Sequence, residues 1–380
     1  MKLKIFSDRS YLPEGIQHLP ILSPFWGMFA ASPEYPWTMQ LKHYTEIGHS
    51  FFEFTSLEEA DLAVMPFDWR VIRGEVWRQT SRNKVAQDLA ISFAKEVEQV
   101  GKQLVVFFSG DCSDEEIPVK NAVVFRSSPY RSMQKFNDYV IPAWNEDLVE
   151  YYLGGQVPIR QKRTKPIVGF CGRVGKNLFR MKLKTILYHG GMLILYKRMG
   201  ISPYKGHVLR SQALSTLSKS PMVDTNFVER DGFVFFDSGS HSAGKEPRLE
   251  FVQNMVDSDY VLCCRGVGNY SFRFYEALCC GRIPVFINTD CILPYDFAID
   301  WKKYCVWVDE SELPLIAEKV AEFHNSLSSQ EFVDLQHECR RLWKQWLSPE
   351  GFFANFYRHF QVDMQKKAEN SFESGNIVQD

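Results

Sequence analysis

Short apolar runs of strand length alternate with helix-period segments along most of this chain, a rhythm that confines it to the α/β class with largely parallel sheets. In the first half Lys2–Phe6, Phe51–Phe54, Ala63–Met65, Leu104–Phe108 and Ala122–Phe125 read as strands. Residues Val85–Val100 form the clearest helical pattern, with Val85, Leu89, Phe93 and Val97 recurring every four positions and Gly101 placed as a C-cap. In the second half strands are expected at Ile167–Cys171, Gly232–Phe236, Tyr260–Cys264 and Ile283–Ile287, and helices at Lys182–Met199, Glu246–Val256 and Phe272–Cys280. Helical patterns follow near Leu313–Phe323, Gln330–Trp346 and Gly351–Phe360.

A chain of 380 residues exceeds the size at which one core stops growing, so two domains are expected. Apolar periodicity lapses between Leu153 and Pro166, where the text turns Gly-Gly, basic and proline-flanked, which puts the boundary there. The first domain then covers 1–158 and the second 166–346. Arg160, Lys162, Arg163 and Lys165 read as a solvated linker. Residues 347–362 carry Phe352, Phe353, Phe356, Tyr357 and Phe360, too apolar a set to lie free in water, and the polar stretch 363–380 reads as disordered.

Composition excludes several functional classes. Formal charge is -2, from 44 Lys+Arg against 46 Asp+Glu, so no global field favours nucleic acid. No run approaches the roughly 20 apolar residues of a bilayer span, and Met1–Asp8 lacks the apolar core of a secretory signal; a soluble, cytoplasmic protein without an integral membrane segment is expected. The nine cysteines include no CxxC, and Cys263-Cys264 and Cys279-Cys280 lie inside apolar runs, which reads as buried free thiols rather than zinc ligands or disulfides.

The densest chemistry lies in Asp259–Asp290: a strand, the loop Arg265-Gly266-Val267-Gly268-Asn269-Tyr270-Ser271, and the helix that opens with Phe272. Gly266 and Gly268 suit a tight turn and close approach of backbone to ligand, free amides at a helix start favour an anion, and Ser271 is placed to cap the helix. The helix is apolar on nearly every side, and Arg273 and Glu276 are its only charges. They sit at i, i+3 spacing and so either pair with each other or serve a ligand: Arg265 and Arg273 a diphosphate, which guanidinium matches bidentately, and Glu276 a ribose diol. A Rossmann dinucleotide site, with Asp290 as its ribose acid, competes, but Ser271 replaces the third glycine and two arginines crowd the loop.

The run from Arg265-Gly266 to Leu278, continued by Gly281-Arg282-Ile283-Pro284-Val285, Leu293-Pro294-Tyr295 and Ile299-Asp300-Trp301, closely resembles the exostosin-like glycosyltransferases. Cys264 departs from it, standing where that family usually has proline. Leu57–Phe67 resembles the family's Glu-Ala-Asp-Leu segment in the first domain. The resemblance implies a GT-B fold, two Rossmann-like domains with parallel sheets facing across a cleft, with a closing helix packed back on the first. It also implies an inverting, metal-independent transfer from a nucleotide-diphosphate sugar (UDP favoured, GDP possible) to a carbohydrate hydroxyl in glycan or surface polysaccharide synthesis. On it Arg265, Arg273 and Glu276 become donor-site residues, joined by Gly266 and Ser271 of the same loop. Arg180, in the segment that opens Gly169-Phe170-Cys171-Gly172-Arg173, resembles a further donor-phosphate arginine.

Transfer of this kind needs a base, sought among residues following first-domain strands, where ligands of open α/β sheets gather. Asp111, after Phe107-Phe108-Ser109-Gly110, is the favoured base; Asp8, Asp68, His49 and His241 are alternatives. There is no DxD beside a strand, and Asp257-Ser258-Asp259 is read as a junction rather than a metal site. Another GT-B enzyme such as an epimerase or phosphorylase, a noncatalytic glycan-binding relative and an NAD-dependent oxidoreductase are the competing functions.

Overall fold

All strand pairs recorded in the computed structural model are parallel, and the strands form two sheets. The structure describes residues 2–27, 37–74, 82–174, 183–184, 186–187, 205–230 and 245–361, of which 37–40 and 245–246 by backbone only. The chain divides into two units: Met1–Pro142 with Ile292–Ala298 and Gln345 onward, and Ala143–Cys291 with Ile299–Lys344.

In the first unit β1 (Leu3–Phe6), β2 (Phe52–Phe54), β3 (Leu62–Val64), β4 (Gln103–Phe108), β5 (Ala122–Arg126) and β6 (Asp138–Val140) lie in the order β2-β1-β3-β4-β5-β6. α1 (Trp37–Ile47) precedes β2, and α2 (Lys84–Gln99) leads into β4. Asn83 caps α2, its Oδ1 accepting from the Ala86 amide at 3.1 Å. The buried stripe of α2 is Ala86, Ala90, Phe93, Ala94 and Val97, while Val85 is exposed, so the expected stripe was one residue out of phase at its start. α8 (Pro349–Ala354) and the turns after it bring Phe352, Phe353 and Phe356 onto Phe125, Tyr44 and Phe52, and Phe356 stacks on Phe125 at 4.8 Å. Tyr139 Oη donates to the His359 carbonyl at 2.9 Å.

The second unit comprises β7 (Ile167–Arg173), α3 (Lys205–Lys219), β8 (Asp224–Arg230), α4 (Lys245–Val256), β9 (Tyr260–Cys263), α5 (Phe272–Cys279), β10 (Ile283–Asn288), β11 (Val306–Asp309), α6 (Ile316–Ser326) and α7 (Ser329–Leu342). Its strand order, β11-β10-β9-β7-β8, repeats the winding of the first sheet: the opening strand has its successor on one side and the third strand on the other. In such a sheet the crevice opens beyond the carboxyl ends of the first and third strands, here β7 and β9.

The unit boundary falls earlier than the Gly-Gly stretch indicates. Glu146 accepts from Arg248 Nε at 2.7 Å and Asp147 from Arg340 Nη2 at 2.7 Å, which ties 143–152 to the second unit. Nor is the basic run a solvated linker. Arg160 donates to the fully buried Asp259 at 2.6 Å, Lys162 to the Leu327 carbonyl and Lys165 to Asp224 at 2.7 Å. Arg282, wholly buried, donates to the Pro158 and Val256 carbonyls and to Gln336. Polar text here means docked side chains rather than free chain. Residues 363–380, most of the helix expected at Lys182–Met199 and the strand expected at Gly232–Phe236 lie outside the described residues.

All nine cysteines are free thiols and eight are buried. Among the described residues no helix is long and apolar enough to cross a membrane.

Candidate functional site

β9 ends at Cys263, and the chain then runs through Cys264 into the loop 265–271 and α5, beyond the carboxyl edge of the sheet. Arg265 is buried and braces its own loop. Nη1 donates to Asn269 Oδ1 at 2.9 Å and Nη2 to the Val267 carbonyl at 2.8 Å. Asn269 Oδ1 also accepts from Thr289 Oγ1 at 2.7 Å, and its Nδ2 donates to the Asp290 carbonyl at 3.2 Å. Asp290 holds φ 64, in the left-handed region, so the loop after β9 is locked to the turn after β10 through a strained position.

Two expectations for this loop are corrected. Neither Gly266 nor Gly268 has a positive φ, and a Cβ on Gly266 would meet nothing within 4 Å, so the turn does not require glycine there. The backbone at Gly266 is exposed, with no described residue on the side a Cβ would occupy. Ser271 stands at the N-cap of α5 with extended φ −134, ψ 116, but its hydroxyl makes no cap hydrogen bond. The first-turn amides therefore lack a side-chain cap.

Arg273 and Glu276 do not pair. Arg273 Nη2 donates to the Cys171 carbonyl near the end of β7 at 2.7 Å, and its guanidinium lies 4.4 Å from the centre of the Phe170 ring. A Cβ on Gly172 would sit 2.7 Å from Arg273 Nη2, so the missing side chain there makes room for the guanidinium. Among the described residues Arg273 has no acidic partner. Glu276, also buried, is held by Arg248 of α4, whose Nη2 donates to Oε1 at 2.9 Å and to Glu146 at 2.6 Å. Two carboxylates around one guanidinium keep Arg248 firmly charged, their attraction outweighing the opposing effect of its burial. The second oxygen of Glu276 has no partner among the described residues.

Sequence reasoning missed Arg210 and His207 on α3. Arg210 Nη1 donates to the Arg173 carbonyl at 2.7 Å and Nη2 to the Arg265 carbonyl at 3.2 Å, so one side chain spans the ends of β7 and β9. Burial lowers Arg210 to about 10, with Arg273 and Arg173 acting in the same direction and Cys264 opposing. His207 is lowered to about 4, first by burial and then by Arg210 and Arg173, so its imidazole is neutral near pH 7, and its Nδ1 is buried with no partner among the described residues. α3 approaches this closely because residue 206 is glycine: a Cβ there would lie 2.4 Å from the Arg265 and Gly266 carbonyls. The weak periodicity of α3 hid both residues from a reading of the sequence. Arg180 and His241 lie outside the described residues.

At the carboxyl edge of the first sheet the acids are differently placed. Asp8 caps a turn, accepting from the Ser10 amide at 2.8 Å. Asp68 accepts from the amides of Arg70 at 2.8 Å and Ser109 at 3.2 Å, which spends its oxygens on joining two loops. Its carboxyl is raised by burial, against those amide bonds. Asp111 follows Gly110, whose φ of 101 turns the chain out of β4. His49, in contrast, precedes β2 and so lies at the amino edge, away from the position expected of a base.

A parallel, doubly wound unit whose crevice-side strand ends carry Arg173, Arg210, Arg265 and Arg273 is a Rossmann-like α/β unit with a cationic switch point. Residues 214–323 match the Exostosin GT47 domain, and through that segment the chain is related to the exostosin-like glycosyltransferases. Exostosin-1 of Drosophila melanogaster is 31% identical over 99 residues, 26% of this chain and 12% of the relative. A probable beta-1,4-xylosyltransferase of Arabidopsis thaliana, IRX10L, is 33% identical over 82 residues, 22% of this chain and 20% of its own. The exostosin-1 homolog of Caenorhabditis elegans is 31% identical over 100 residues, 26% and 25% of the two chains. The chain thus spans a quarter or less of the length of these relatives. Among solved structures, the catalytic domain of starch synthase IV from Arabidopsis thaliana bound to ADP and acarbose covers 89% of this chain and 80% of its own at 10% identity, with a TM-score of 0.34.

Proposed function

We propose that the protein is a glycosyltransferase that takes a sugar from a nucleotide-diphosphate donor, UDP-linked in preference to GDP-linked, and passes it with inversion to a carbohydrate hydroxyl. The observation that carries this reading is Arg273, a guanidinium at the end of β7 with no acidic partner among the described residues. A cation partly removed from water without countercharge favours an anion beside it, and a diphosphate supplies the charge and the acceptor oxygens. Arg248 holds one oxygen of Glu276, which leaves the other to accept from a ribose hydroxyl.

In the transfer the acceptor oxygen forms a bond to the anomeric carbon as the bond from that carbon to the phosphate oxygen breaks. The acceptor's proton passes to the base, which we assign to Asp111, and the negative charge gathering on the departing diphosphate is met by Arg265, Arg273 and the first-turn amides of α5. Because side chains supply that positive charge, no divalent ion is needed. Calorimetric titration with UDP, GDP, ADP, CMP and NAD in EDTA tests the reading. Binding of one nucleoside diphosphate in chelator is expected; binding of NAD alone, or none that survives chelation, would overturn it.

A further inference from the structure

The residue that best combines position with an unassigned role is Arg210. It lies outside the residues matched to the Exostosin GT47 domain, on a helix that sequence patterns did not mark. Its two terminal nitrogens are fixed on main-chain carbonyls of Arg173 and Arg265, the flanks of the crevice. Its Nε is buried with no partner among the described residues, and its guanidinium lies 5.7 Å from the centre of the Phe170 ring, on which Arg273 also rests. Buried arginines are held here in two ways: Arg248 and Arg340 on carboxylates, and Arg282 on carbonyls and an amide. Among the described residues Arg210 is of the second kind, but unlike Arg282 it stands where β7 and β9 end, at the mouth of the crevice.

We propose that Arg210 is a positioning residue of the anion site, one that sets the spacing of the two strand ends and adds its own charge to the field acting on a bound diphosphate. This rests on the donor reading above. It also explains why Gly206 is needed: any larger residue would push α3, and Arg210 with it, away from the Arg265 loop.

The test is calorimetry on the full chain with inorganic pyrophosphate and with UDP, over a range of salt, for wild type, Arg210→Met, Arg210→Lys and Arg273→Ala. Arg210→Met is expected to bind pyrophosphate about tenfold or more weakly, in keeping with loss of a charged contribution, and with a shallower salt dependence. Arg210→Lys keeps the charge but loses the fork that spans the two carbonyls, so it should fall between wild type and Met in affinity while keeping the wild-type salt dependence. If Arg210→Met also keeps the wild-type salt dependence, the charge plays no part, the role is structural and the proposal falls. If Arg210→Met folds and binds like wild type while Arg273→Ala is weakened, the proposal falls but the donor reading stands. If wild type binds neither probe, both fall. Should Arg210→Met fail to fold, the Lys variant and its salt dependence decide alone.

Discussion

The two sheets share one winding, yet their carboxyl edges are opposite in chemistry. Beyond β7 and β9 stand guanidiniums bound to carbonyls and rings, and among the described residues Arg210 and Arg273 have no carboxylate partner. Beyond β1 and β3 of the first sheet they are carboxylates, Asp8 and Asp68, already satisfied by neighbouring amides. Even the buried arginine of the first sheet, Arg126, has its acid, Asp138, at 3.0 Å. Topology opens a crevice in both cases, and only strand-end side chains decide what could enter it.

The sharpest way to break this comparison is at the proposed base. Asp111→Asn should lower transfer by a factor of about 100 to 10,000, the range of general base catalysis, with UDP affinity unchanged by calorimetry. An equal fall in both would move Asp111 out of the base role. Next come the two arginines. Arg126→Met strands the buried Asp138 and should cost about 3–5 kcal/mol of stability in denaturant titration, without altering the nucleotide affinity of molecules that remain folded. Arg273→Met strands no acid among the described residues, so it should leave stability nearly unchanged and weaken UDP by about 1.5–3 kcal/mol. If the two substitutions have the same signature, the contrast between the edges is wrong.

The smallest effect concerns His359, fully buried in the aromatic cluster of the first unit and lowered to about 3, by burial above all. The unfolded chain takes up this proton near pH 6.5 and the folded chain does not, so stability is constant above that pH and falls below it. The slope is about 1.4 kcal/mol per unit, or about 2 kcal/mol between pH 7 and pH 5. His359→Phe should flatten that part of the acid limb in denaturation measured at both values. An unchanged limb would show that His359 takes up its proton in the folded state.

Central strands were legible in the sequence and most edge strands were not. β4, β5, β9 and β10 carry continuous apolar runs, broken only at a terminal residue such as Gln103, Arg126 or Asn288, because neighbours flank them, and each was found. The three missed strands, β6, β8 and β11, are all sheet edges. β8, Asp-Thr-Asn-Phe-Val-Glu-Arg, carries polar residues on its half-exposed faces and offers no apolar run to read. At the site, loop 265–271 was visible because glycines and arginines cluster in sequence. The partner of Glu276 was not, since Arg248 reaches it from α4, and neither was Arg210, whose meaning lies in the carbonyls of residues 37 and 55 positions away.

The return of residues 345–361 to the first unit sets a schedule for the newborn chain. The core around Phe125, Tyr44 and Phe52 closes on Phe352, Phe353 and Phe356, so the part of the protein made first is finished last. Until those phenylalanines leave the ribosome, one face of a six-stranded sheet stands open, while the second unit, complete by Lys344, can already pack. During synthesis the exposed aromatic face is the stretch a chaperone would have to guard, and a stop codon ahead of Phe352 would leave it open for good.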